Sequence, residues 1–149
     1  MGAWFRWLKK LYQATFSGNV RYAVYPAISA ADMSTPGVKL TSATAKKMDA
    51  AAAEILSATT SPQVEYWICS VLMHTVETAE LHALELQNAA AAKLVDLFID
   101  PTAVTINLPQ MQDLPFPIKM TAKAVVKGIL GNVTGGKTAY VALLCATAL

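Results

Sequence analysis

Apolar residues return at three- and four-residue steps near the start of the chain: Trp4, Trp7, Leu8, Leu11, Tyr12 and Phe16, with Phe5 beside them. On a 3.6-residue period these positions share one face. Arg6, Lys9, Lys10 and Gln13 lie off it. The spacing predicts an amphipathic helical arm over 1–18, ended at Ser17-Gly18-Asn19 by a residue type that tolerates left-handed dihedrals. The stretch from Val20 to Ala31 contains Pro26 and reads as extended or irregular. Ser34-Thr35-Pro36-Gly37 reads as a turn.

A helical core is expected over 42–99. Ala45, Met48, Ala52, Ile55 and Leu56 form one apolar stripe. Ser61 is suited to cap the next helix and Pro62 to its first position. The apolar period then continues to about Ile99 as one long central helix, stopped at Asp100-Pro101. The alanines at 89–92 would let a neighbouring helix approach closely. Over 100–118, Pro101, Pro109, Pro115 and Pro117 exclude a helix and predict an extended connector. Val104, Ile106 and Leu108 alternate with polar residues as in a short edge strand. Over 119–149, Ile129 closes a second stripe and the nearly unbroken apolar run from Ala139 reads as a buried helix, so a C-terminal helical hairpin is expected. The fold expected is therefore mainly α, in a single domain over 1–149.

Composition adds a constraint. Hydrophobic residues are 54% and charged residues only 15%, against about 45–50% and about 25% in ordinary soluble domains. A chain this poor in charge has apolar surface left to cover, against other subunits or a bilayer. Charge also comes in blocks. Residues 1–47 carry seven Lys/Arg against Asp32 alone, residues 48–116 carry nine acids against Lys93, and residues 117–149 carry four lysines and no acid. Basic ends around an acidic middle fit electrostatic matching between neighbours. Lys9 and Lys10 interrupt any secretory signal. Arg6 stands where a Met1-Gly2 myristoylation site needs Ser or Thr. No apolar run is long enough for a standard transmembrane helix.

One motif carries candidate chemistry. Residues Gly131 to Thr138 match G-x-x-x-x-G-K-[ST]. They resemble the Walker A loop of nucleotide-binding ATPases and GTPases. The resemblance implies that Gly131 to Gly136 wrap phosphates, that Lys137 reaches the β/γ-phosphates, and that Thr138 holds Mg²⁺. It also implies a strand over 125–130 and a helix after Thr138. Such a domain needs further strands and a metal-binding acid, whereas residues 139–149 contain no acid. The competing reading is a Gly-rich hairpin turn with a solvated Lys137, and it is preferred.

His74, Glu77, Glu80, His82 and Glu85 would meet in pairs on a helix surface, without the Glu-x-x-His order of di-iron bundles. Cys69 and Cys145 are too few for a disulfide scaffold or a zinc site and read as buried free thiols. No catalytic set, metal site or cofactor emerges. The expectation is a non-enzymatic structural subunit of a large assembly, with a viral shell or virion protein as the concrete example and other copies or other subunits as partners. Its apolar interface is placed on the 1–18 arm. The alternative is a small accessory subunit held peripherally on a lipid membrane by that Trp-rich arm. A nucleotide-binding protein or fragment using Gly131, Gly136, Lys137 and Thr138 comes third. Nucleic acid is not expected as a partner, because no recognised module surrounds the basic residues.

Overall fold

Strands carry this chain. The computed structural model describes residues 3, 6–9, 20–27, 37–41, 43–44, 53–74, 80–98, 110–132 and 136–148. Among them ten strands form: β1 (Val20–Tyr25), β2 (Val38–Thr41), β3 (Ala43–Thr44), β4 (Ala53–Leu56), β5 (Tyr66–His74), β6 (Glu80–Gln87), β7 (Lys93–Phe98), β8 (Gln110–Met120), β9 (Val126–Asn132) and β10 (Thr138–Ala148). Helical backbone among the described residues is confined to positions 3 and 6–9.

This overturns the mainly α expectation. The helical core over 42–99 is replaced by β3 to β7, and the C-terminal helical hairpin by β9 and β10. The physical reason lies in strands apolar on both faces. In β5 and β10 nearly every position is buried or half-buried, so the alternation that marks a half-buried strand is erased. The alanines at 89–92 form a hairpin loop between β6 and β7. There Asn88 Oδ1 accepts from the Ala90 and Ala92 amides, each at 2.9 Å. Ala91 takes φ +60°, a left-handed conformation that ends pairing rather than continuing a helix. The exclusion of helix by Pro115 and Pro117 holds, but they lie within β8. The edge strand expected at Val104 to Leu108 falls outside the described residues.

The strands pair into two five-stranded sheets. In sheet A the order is β1–β10–β5–β8, with β2 also on β10; in sheet B it is β3–β9–β6–β7, with β4 also on β9. All ladders are antiparallel except the two-residue pairing of β3 with β9. The ladders nest. β6 pairs with β7, β5 with β8, β3 and β4 with β9, and β1 and β2 with β10. This is one long hairpin whose arms pair throughout, rolled so that β10 also meets β5 and β9 also meets β6. The winding is that of a double-sheet jelly roll.

Between the sheets lies one apolar core. It takes Leu40 from β2, Ile55 and Leu56 from β4, Ile68 and Met73 from β5, Leu84 and Leu86 from β6, Val126 and Leu130 from β9, and Val141 and Leu143 from β10. Full burial of each such side chain is worth about 1.5–3 kcal/mol. Tyr66 enters the same core fully buried, and its hydroxyl donates to the Ala124 carbonyl at 3.1 Å. Two local devices set the register. Gly37 opens β2 at φ +98°, where an added Cβ would stand 2.3 Å from the Val141 carbonyl oxygen. In β5 the register shifts at Cys69 against both neighbours. Opposite that point, β8 passes residues 114–117 between its Asp113↔Ser70 and Ile118↔Ile68 pairs. Pro115 and Pro117, which have no N–H to give a ladder, sit in this bulge.

Candidate assembly surfaces

The two outer faces of the sandwich differ in chemistry. On sheet B a charged row crosses four strands. Glu54 pairs with Lys127, Lys127 with Glu85, and Glu85 with Asp96. Lys93 Nζ lies 2.7 Å from Asp96 and 3.6 Å from Glu85, and Gln87 donates to Glu85. The carboxylates beside it raise the Lys93 pKa, with the Asp96 hydrogen bond first. Lys93 is about half exposed, whereas the Glu85 and Asp96 side chains are 15% and 25% exposed, so the row lies at a partly sheltered surface. Further along this face, Ala83 and Ile129 are paired and buried.

On sheet A the outward positions of β5 and β10 are fixed by the inward ones. Ile68, Val71, Met73, Val141, Leu143 and Cys145 join the core. Their neighbours Trp67, Ser70, Leu72, Tyr140, Leu144 and Ala146 therefore face away from it. This outer face is mostly apolar, and its central polar contact is internal: Ser70 Oγ donates to Asp113 Oδ1 at 2.6 Å. Cys69 lies half-buried at the bulge, with its thiol pKa raised first by burial. Cys145 is buried on the core side, and burial followed by the nearby Cys69 pushes its pKa up to about 12. Both thiols are free, and both lie on strands rather than on the helices expected.

Among the described residues, Leu8, Tyr22 and Val64 are exposed at separate places, and four more large apolar side chains are exposed on β7 and β8, Met111 at the rim of sheet A's outer face beside its pair Leu72. Leu94 (60%) and Val95 (50%) are on β7, and Met111 (55%) and Phe116 (52%) are on β8. β7 ends the order of sheet B and β8 ends that of sheet A. At the other end, β2 lies close to β4 and β9, and β10 to β4. The two sheets are therefore stacked in matching order, which puts β7 and β8 on one flank. The period of the sequence does not single out these four residues. A signal is present in Gln110-Met111-Gln112, where polar and apolar residues alternate beside prolines, as on an edge strand.

The residues expected to act are scattered over the fold. Trp7 is half-buried in the short helical stretch, whereas Arg6, Leu8 and Lys9 around it are exposed. Trp4, Phe5, Leu11, Tyr12 and Phe16 lie outside the described residues. Gly131 lies one residue before the end of β9, opposite Glu80, and Thr138 opens β10 opposite Thr41. Gly136 is exposed at φ +69°. The chain runs on from Thr138 as a strand, so the helix whose N-terminus would face phosphates in a Walker A loop is replaced by β10. His74 ends β5, while Glu80, His82 and Glu85 are on β6. A strand does not bring together the three-residue spacings that would pair on a helix. Among the described residues, no cluster of three His, Cys, Asp or Glu is placed to hold a metal ion. None of their helices is long and apolar enough to cross a membrane.

No protein-family model and no curated protein matches the sequence. Among solved structures, the fold is similar to a chain of the icosahedral viral particle of infectious bursal disease virus, with a TM-score of 0.49 and 9% identity over 87% of this chain and 31% of that one. A structure of the Gt strain of the same virus matches with a TM-score of 0.45 and 8% identity, over 87% of this chain and 33% of that one. The chain thus spans about a third of the length of these neighbours.

Proposed function

We propose that this chain is a non-enzymatic structural subunit that packs edge to edge with other copies of itself in a shell of the viral-capsid kind. Jelly rolls serve in viral capsids, in lectins and in cupins, and the fold alone does not choose among them. The observation that carries the reading is the β7–β8 flank. Leu94, Val95, Met111 and Phe116 stand half-exposed or more on two strands that end their sheets. An open strand edge lined with large apolar groups is a template for association, and solitary proteins blunt such edges. The space between the sheets is filled by side chains such as Ile68, Leu84 and Leu143, which suits a load-bearing wall better than a ligand container.

Covering half of each of these four side chains is worth roughly 1 kcal/mol apiece. That is weak for one contact and sufficient when repeated around a closed assembly. Sedimentation of the wild type beside a Leu94→Glu/Phe116→Glu variant tests the reading. The wild type is expected to sediment as a multi-copy particle and the variant as a folded monomer. A monomeric wild type, or a variant that assembles as well as the wild type, would refute it.

A further inference from the structure

Sheet A has two open edges, and they differ in charge. β8 ends it on one flank. β1 and β2 end it on the other, since both pair with β10 on the side away from β5, and among the described residues no strand pairs with their far side. The edges match in length: β1 and β2 pair along β10 from Thr138 to Ala148, and β8 runs from Gln110 to Met120. On the β1–β2 edge Arg21 and Lys39 are exposed, and among the described residues neither is ion-paired. On β4, which lies close to β2, Glu54 is in register with Lys127. On the β7–β8 flank the bases are engaged, Lys93 with Asp96 and Glu85, and Lys119 with Glu65 at 2.8 Å. Asp113 is exposed there and accepts from the neutral Ser70 hydroxyl. One edge thus carries an excess of base and the other an excess of acid.

We infer that copies of this chain join head to tail, the β7–β8 flank of one meeting the β1–β2 edge of the next. Asp113 then lies toward Arg21 and Lys39, and Met111 and Phe116 toward Tyr22, which is 47% exposed on β1. The faces agree. Tyr22 pairs with Ala146 and Lys39 with Tyr140, while Met111 pairs with Leu72 and Asp113 with Ser70. All four therefore stand on the outer face of sheet A, which runs on unbroken from one copy to the next set beside it. The strand directions agree as well. β1 runs parallel to β5 and β8 antiparallel to it, so β8 beside a neighbouring β1 keeps the antiparallel alternation. A β7–β8 flank that met only its own kind would set excess acid against excess acid, which opposes association, and would leave the β1–β2 edge bare. Head-to-tail contacts use both edges and close into rings. The inference deepens the self-packing reading and rests on it.

Two measurements test it. Within one chain, Lys39 and Asp113 sit on opposite edges of sheet A, three strand spacings or about 14 Å apart. They are also offset along the strands, since Lys39 lines up through Tyr140 with His74 and Asp113 with Ser70. A zero-length carbodiimide link between their side chains therefore forms only between copies. In assembled wild type, an equal mix of light and heavy isotope, Lys39–Asp113 links between chains are expected. Links between chains that join the β7–β8 flank only to itself, or none at Lys39, would overturn the inference. An Arg21→Glu/Lys39→Glu variant is expected to need at least tenfold more protein to assemble, and assembly at the wild-type concentration would also overturn it. Both side chains are exposed, so the variant is expected to keep its fold; if its circular dichroism differs from that of the wild type, the link map on the wild type decides. Wild type that assembles without these links removes the head-to-tail contact and leaves self-packing standing. Wild type that stays monomeric removes both.

Discussion

Ser70 and Asp113 join β5 to β8 where the two strands are most distorted. The Ser70 hydroxyl donates to Asp113 Oδ1 at 2.6 Å, at the last regular pair before β8 bulges through Pro115 and Pro117. A side-chain bond there replaces ladder bonds that the prolines cannot make. It pins the register of the strand that carries Met111 before the bulge and Phe116 within it. Ser70→Ala is expected to cost about 0.5–1.5 kcal/mol, the net worth of one hydrogen bond, since the exposed Asp113 carboxylate can turn to water. Urea unfolding at neutral pH checks this, and a loss below the error of the measurement would contradict it.

Gly37 is required by space as well as by dihedral. An added Cβ would stand 2.3 Å from the Val141 carbonyl oxygen, and the backbone is at φ +98°. Both partners are backbone, so neither can rotate away. Gly37→Ala is expected to destabilise the protein by more than about 2 kcal/mol, or to prevent soluble folding. A thermal midpoint equal to that of the wild type would show that β2 does not approach β10 as described.

Ala91 offers the opposite sign. It holds φ +60° in the β6–β7 loop, a conformation that costs an L-residue about 1 kcal/mol and glycine almost nothing. Ala91→Gly is therefore expected to stabilise by about 0.5–1 kcal/mol, whereas Asn88→Ala, which removes both side-chain bonds of the loop, destabilises by about 1–2 kcal/mol. A helical 89–92 segment would reverse the first result, since glycine lowers helix stability.

Alkaline pH should weaken the fold. Burial, then the charge of Cys69, raises the Cys145 thiol to about 12, while an unfolded thiol ionises near ~8.5. Between these values only the unfolded chain releases its proton. The stabilising contribution is thus complete below the unfolded value and is lost as pH climbs toward the folded one. Cys69 and Tyr66 are shifted in the same direction, each first by burial. Unfolding free energies from urea titrations are expected to be level from pH 7 to 8 and to fall above pH ~9, by up to about 1.4 kcal/mol per pH unit for Cys145. Cys145→Ala should flatten part of that fall. A curve rising through pH 10 would contradict the burial of this thiol.

The helical period of the sequence misleads for a definite cause. In Tyr66 to His74, core residues Ile68, Val71 and Met73 alternate with Trp67, Leu72 and other residues that are also at least half-buried. When both faces of a strand are apolar, three- and four-residue matches arise as readily as two-residue ones. The Cys69 bulge then exchanges the two faces midway and hides what alternation remains. Ala142 and Ala146 add helix propensity in β10, where both are fully buried small residues of a strand. Chemistry is legible where geometry is not. Low charge and surplus apolar surface are visible in composition, although the helical period assigns the excess to the N-terminal stripe. Leu94, Val95, Met111 and Phe116 escape such a reading because an edge is defined by pairing with distant strands, which local period does not encode.

The most direct test of self-packing is the mass of the purified wild-type protein in solution, by native mass spectrometry or light scattering across a range of concentrations. Many copies in one closed particle is the expected result. A species that stays at the 15.9 kDa of a single chain at every concentration would contradict the account.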